Sequence, residues 1–321
     1  MRSTITILLA LLPLNAFAQD LVEFENGQLA NADDINSNFQ VLDDKLKTVF
    51  DDPTARDNQW GRLEIAVDCS ENQYALQTAF SENLHKDRIT FAIEGGCVFD
   101  DVLDVAARFI SFSGEIDADN VTCVLPMPQL ITGAGVEDAE TSILVNNSGT
   151  LLFTCMTLGD ADRSEGRAVI QAFANSMIRM DRVVESPTGN LVVNVRQASL
   201  FRYLAYDYEQ GFTGELYSRM GKAEIYGNND IRILGLNNGA KFNCLSCGGG
   251  ITSGVMTGGS EMYIRAAYGP VVVDEMNLEP GSQIYTEEVN DNPVTISNLY
   301  YRNPEDFNRT IYTGSGLAPA P

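Results

Sequence analysis

The sequence predicts an all-β protein wound as a parallel β-solenoid, from a recurring pattern, its spacing and its glycines. A small residue followed two positions later by an apolar one occurs at Thr150/Leu152, Ser176/Ile178, Ser199/Phe201, Ala223/Ile225, Ala240/Phe242, Ser260/Met262 and Ser282/Ile284. Successive copies lie 26, 23, 24, 17, 20 and 22 residues apart. A period in the low twenties is that of a coil that covers its neighbour. Glycines flank most copies, as turns between short strands require. Positions i and i+2 of a strand share a face, so each copy is expected to turn one small and one large side chain inward. An antiparallel sandwich of short strands explains the glycines but not seven copies of one pattern.

The elements before this body come in order. The chain opens Met-Arg-Ser-Thr, then runs apolar from Ile5 to Leu14, then reads Asn-Ala-Phe-Ala-Gln. These are the three parts of an export signal, with cleavage expected after Ala18. The apolar run is too short to span a bilayer, and no later segment is apolar enough to do so. Residues 19–50 are expected to be a helical segment. Asn31 to Asp34 supply helix-start residues, and Ile35, Phe39, Leu42, Leu46 and Val49 follow at a/d spacing. Two heptads are too few to hold a coiled coil alone. Packing of this helix on its own body and self-association through residues 20–50 therefore both stand as readings. Residues 51–60, polar and Pro-containing, read as a linker, 61–313 as the solenoid body, and 314–321 as a disordered tail.

Two stretches resemble known families. The run Phe24-Glu-Asn-Gly27, Ala30-Asn-Ala32, Ile35-Asn36-Ser-Asn38-Phe39, Leu42 resembles an N-terminal segment of many exported proteins of marine-type bacteria, which implies an assembly or stalk element. Farther on, Leu63-Glu-Ile-Ala-Val-Asp-Cys69, a helical stretch from Gln73 to Leu84, and Ile89-Thr-Phe-Ala-Ile-Glu-Gly-Gly-Cys97 are similar to the N-terminal cap of the pectate-lyase-like superfamily. That resemblance implies a right-handed parallel β-helix with a helix-containing cap. Without a cap, the first coil exposes an apolar core and an unpaired strand edge.

Charge and cysteines narrow the setting. With 44 acidic and 21 basic residues the net charge is −23. That argues against nucleic acid, anionic membranes and unassisted binding of acidic polysaccharides. It suits solubility in salty water, or cation binding, with calcium the expected ion if one is held. The six cysteines form an even set, which in an exported chain reads as disulfides. Six allow fifteen pairings, and the sequence alone does not choose among them. Pairing by neighbourhood joins Cys69 to Cys97, Cys123 to Cys155 and Cys244 to Cys247. Cys244-Leu-Ser-Cys247 lacks a second ligand pair, and the only histidine, His85 in the expected cap helix, is far away in sequence, so no metal site is expected there. The location expected is secreted, periplasmic or cell-surface.

The repeat also marks outward positions. One place beyond each inward apolar residue stand Phe153, Arg179, Arg202, Tyr226, Asn243, Tyr263 and Tyr285. On a parallel β-helix they would form a ladder with rungs about 4.8 Å apart. Aromatic faces stack on sugars and arginines take carboxylates, so this strip is the candidate glycan or cell-surface contact; aromatic residues also favour strands for packing alone. A second column, Asp160, Glu185, Asp207 and Glu209, follows the strands of three successive coils. Such carboxylates bind calcium or act as a general acid and base on a glycosidic bond, although a chain this acidic also clusters acids by chance. The β-helix resemblance implies polysaccharide lyases or hydrolases. The polygalacturonase-type Asn-Thr-Asp, Asp-Asp, Gly-His-Gly and Arg-Ile-Lys patterns are not matched in the body, and no Gly-x-Ser-x-Gly elbow or phosphate loop is present. The sequence therefore points first to a non-catalytic exported protein for surface attachment or glycan contact. Next comes a lyase or hydrolase working through the 160–209 acids, then a structural fibre or stalk subunit.

Overall fold

A computed structural model describes residues 62–117, 122–133, 141–158, 167–185, 190–205, 211–301 and 311–313. The expected export signal, helical segment, linker and tail lie outside these residues.

The described chain is a parallel β-solenoid whose coil has three faces. Face one carries β1 (Arg62–Asp68), β2 (Arg88–Glu94), β5 (Phe109–Ser113), the starts of β8 (Thr150–Leu158) and β10 (Met177–Glu185), and β12 (Leu200–Leu204). It continues with the starts of β14 (Lys222–Asn237) and β15 (Lys241–Met256), then β16 (Glu261–Ala266), β18 (Gln283–Glu288) and β20 (Ile311–Thr313). Face two holds β3 (Gly96–Phe99), β6 (Gln129–Thr132) and the later parts of β8 and β10. Face three holds β4 (Leu103–Ala106), β7 (Ile143–Asn146), β9 (Arg167–Ala172), β11 (Asn190–Arg196), β13 (Glu215–Arg219), the ends of β14 and β15, β17 (Val271–Leu278) and β19 (Val294–Tyr301). All these strands pair in parallel. Face one can be followed through nine turns from β2 to β20.

Strand parity builds the core. Ile89, Ile110, Leu151, Ile178, Phe201, Ala223, Phe242, Met262 and Ile284 pair in register on face one, and all are buried. Two residues on, Phe91, Phe112 and Phe153 form a stacked run with ring centroids 5.6 and 5.5 Å apart. Each large side chain so buried stabilises the coil by about 1.5–3 kcal/mol. At the open end, β1, the helix α1 (Ala75–Glu82), the one helix among the described residues, and β2 form the cap. α1 buries Leu76 and Phe80 against the first coil, with the Phe80 ring 6.1 Å from Phe91. The helix stops at Glu82, so exposed His85 lies beyond it rather than within it.

The recurring small residue has a structural reason. At the corner entering face one, two residues in left-handed conformation precede it: Asn147/Ser148, Ala174/Asn175, Gln197/Ala198, Asn238/Gly239 and Gly258/Gly259, with φ from 49 to 75°. Such residues are costly singly but here are stacked. Asn175 N–H donates to Gln197 O at 3.1 Å, and Ala198 N–H to Met220 O at 2.7 Å, coil to coil. The small residue then turns into the crowded corner. As serine it also satisfies the turn: the hydroxyls of Ser176 and Ser260 each donate to a turn carbonyl at 2.6 Å.

Five copies of the pattern lie as expected. The first is shifted by one: Gly149 and Leu151 face inward, and Thr150 and Leu152 outward. A Cβ on Gly149 would sit 2.0 Å from the Val105 carbonyl oxygen, so only glycine fits that corner. The fourth copy has the right parity but stands two residues late, since Ala223 pairs with Phe201 and Gly221 fills the corner.

All six cysteines are paired, Cys69–Cys97, Cys123–Cys155 and Cys244–Cys247, with Cα separations of 5.1, 5.4 and 5.6 Å. The last pair spans a β-bulge. Ile225 pairs with Cys244 and Gly227 with Cys247, so Leu245 and Ser246 oppose the single residue Tyr226, and Ser246 takes φ 79°. In a regular strand, residues three apart face opposite sides. The extra residue resets the parity, so both cysteines point into the core and meet.

Candidate functional site

Face one turns outward the row Leu152, Arg179, Arg202, Glu224, Asn243, Tyr263 and Tyr285, in register across successive coils. Arg179, Arg202, Asn243, Tyr263 and Tyr285 of the expected strip are therefore together. Phe153 is a correction: it is fully buried in the phenylalanine stack, because the first copy is shifted and Leu152 takes the outward rung. Tyr226 is half-buried on the outer surface, but two residues along from the row, where it pairs with Leu204; Glu224 occupies its expected place.

The row is a lattice of paired groups. Arg179 clasps Asp181 through Nε at 3.1 Å and Nη2 at 2.7 Å. Arg202 reaches Glu224 across the coil at 2.9 and 2.6 Å, and Lys222 reaches the other oxygen of that carboxylate at 2.5 Å. Burial opposes charge on Glu224, but the hydrogen bonds and positive charges of Lys222 and Arg202 outweigh it and hold its carboxyl below the usual range. Tyr263 donates to Glu287, which Arg265 also approaches at 3.3 Å. Burial, then that hydrogen bond and the Glu287 charge, push the Tyr263 phenol up to about 12. Tyr285 donates to Gln283 at 2.5 Å. The two tyrosine side chains are thus half-buried, held at their hydroxyl ends and set on neighbouring rungs.

Of the acidic column, only Glu185 is among the described residues; Asp160, Asp207 and Glu209 lie outside them. Glu185 ends β10, and its carboxylate is filled. One oxygen accepts from the Leu191 N–H and from Arg232 Nη2, both at 2.8 Å, and the other accepts from Thr213 Oγ1 at 2.7 Å. It ties β10, β11, the approach to β13 and β14 together. A carboxylate with three donors on it is placed to hold coils together. Among the described residues, no group of three His, Cys, Asp or Glu converges to hold a metal ion.

A second feature, on face three, lies outside the residues singled out from the sequence. Arg196 ends β11 and Arg219 ends β13, and the two pair in register on face three with Asn237 on the next rung. Both arginines are exposed and form no ion pair with a described residue. The small-then-apolar repeat marks face one alone; the sequence signal for this pair is Arg196 and Arg219 at one coil's spacing.

No known protein-family model matches this chain, and no curated protein or solved structure is significantly similar to it. The class is defined by the fold: a disulfide-bonded parallel β-solenoid whose face one turns outward a mixed row of arginines, a glutamate and two tyrosines. No helix of the described residues is long and apolar enough to cross a membrane.

Proposed function

We propose that this is an exported, non-catalytic solenoid that contacts glycans, or another cell-surface component, through face one. The observation that carries the reading is the in-register row from Arg202 to Tyr285, with Tyr263 and Tyr285 on adjacent rungs and anchored through their hydroxyls. Rings fixed before binding lose little freedom on contact with a sugar, and stacking adds to the buried area. Three disulfides with no free thiol accord with an oxidising location, whether secreted, periplasmic or cell-surface. Attachment or assembly through residues 20–50 belongs to the same proposal. The filled carboxylate of Glu185 favours binding over the lyase or hydrolase reading.

A glycan array followed by a reducing-end assay on the best hits tests this. Tyr263→Ala or Tyr285→Ala alone should weaken binding by about 1 kcal/mol, roughly fivefold, and the pair by more, with the fold intact. Product formation from a bound glycan overturns the proposal. Binding that is unchanged in the double variant moves the contact off face one.

A further inference from the structure

We infer that Arg196 and Arg219 form a site for an oxyanion carried on an extended chain, a sulfate ester or a carboxylate of a polysaccharide. This site lies on face three and shares no residue with the glycan contact proposed for face one.

Three observations carry it. The first is the arrangement of charge. In a chain with 44 acidic and 21 basic residues, the neighbouring cations are neutralised: Arg179 by Asp181, Arg202 by Glu224, Arg232 by Glu185, and Arg265 by Glu287. Arg196 and Arg219 instead stand directly opposite each other on paired strands. Like charges so placed repel, and an anion bound between them removes that repulsion.

The second is donor geometry. Asn237 pairs with Arg219 on the next rung, and its Oδ1 accepts from Thr257 Oγ1 at 2.6 Å. That bond occupies the amide oxygen, so what Asn237 has left to offer a ligand is its Nδ2 N–H₂. Two guanidinium forks and an amide N–H₂ then line up as a row of donors, the chemistry that holds sulfate or carboxylate oxygens.

The third is shape. Arg196, Arg219, Asn194, Tyr217 and Asn237 line a recess of about 180 Å³. The Tyr217 ring, one of these lining groups, lies against Gly235, where a Cβ would come within 2.6 Å of the ring. A ring beside paired arginines offers a sugar an apolar surface next to the site for its charged group.

The net charge of −23 does not forbid this. At physiological salt, screening limits each exposed charge to a radius of about 8 Å, so the sign of the nearest groups decides.

The test uses the mature chain at physiological salt with three probes of equal length: dextran sulfate, carboxymethyl dextran and unmodified dextran, measured by titration calorimetry. At least one charged probe should bind tenfold or more tighter than plain dextran, and which one does so names the group. R196Q/R219Q should lose at least tenfold of that affinity, while the charge-matched control K86Q/R88Q, at the cap end of face one, keeps it. Tyr263→Ala/Tyr285→Ala should also keep it, which separates failure here from failure of the face-one proposal. If R196Q/R219Q does not fold, R196K/R219K retains both charges but loses the forks and should still bind several-fold more weakly. The inference is overturned if neither charged probe outbinds dextran, if the arginine variant binds like wild type, or if only the tyrosine variant loses binding.

Discussion

Glu185 is where structure and catalysis make opposite forecasts. Its carboxylate takes three donors at 2.7–2.8 Å, one of them the Arg232 guanidinium, and the group is 10% exposed. Glu185→Gln keeps the shape but replaces one acceptor oxygen with an N–H₂. That amide must face Thr213 or the pair formed by Leu191 N–H and Arg232, so at least one donor loses its acceptor. A charge-assisted hydrogen bond is worth roughly 1.5–3 kcal/mol, so Gln should cost about 2 kcal/mol. Glu185→Ala removes all three acceptor contacts, the charge-assisted one to the Arg232 guanidinium among them, so about 3–5 kcal/mol is expected. Urea unfolding followed by circular dichroism should show a lower midpoint with an unchanged slope for Gln, and a larger drop for Ala. A Gln variant as stable as wild type would refute the reasoning. If that variant also lost turnover on a glycan, Glu185 would be a catalytic acid or base instead.

Two further outcomes follow from the core and from the ion lattice. Phe112→Ala opens the middle of the phenylalanine stack, between Phe91 and Phe153, and should cost about 3–5 kcal/mol by thermal or urea unfolding; a loss under 1 kcal/mol would mean the stack is not packed as described. Glu224 is held below the usual carboxylate range in the folded state. Its stabilising contribution is therefore fully present above the unfolded glutamate value of about 4.3 and is lost as pH falls through the lower folded value. Between about pH 5 and pH 3, wild type should lose stability more steeply than Glu224→Gln, and identical slopes would refute the assignment.

The coil was legible because strand parity and a repeat in the low twenties are written directly in side-chain size. Ser176/Ile178, Ser199/Phe201, Ala240/Phe242, Ser260/Met262 and Ser282/Ile284 all point inward. The misplaced copies show what size alone omits. At Gly149 the corner residue is glycine, which a small-then-apolar pattern does not register, so the pattern starts one place late at Thr150 and sets the buried Phe153 on the surface. The cysteine pairs were reached by neighbourhood, yet the bulge that lets Cys244 meet Cys247 leaves no mark in residue type. The paired arginines of face three were missed for a different reason. A ladder is visible only once register is known, and Arg196 and Arg219 become neighbours through the pairing of β11 with β13.

The left-handed corner divides the molecule into a fixed margin and a free one. From β4 to β18, two to four residues separate each face-three strand from the next face-one strand. By contrast, β8 and β9 are separated by the eight residues 159–166, and β12 and β13 by the ten residues 205–214. One residue added between Gln197 and Ser199 would rotate every later side chain of that strand to the opposite side, sending Phe201 into water and Arg202 into the core. The same insertion within 206–210 changes neither strand's parity. New sequence can therefore be written into this protein between β8 and β9 and between β12 and β13 while the pitch is kept by the opposite edge, and a lineage or an engineer seeking a new specificity has those two places to work on.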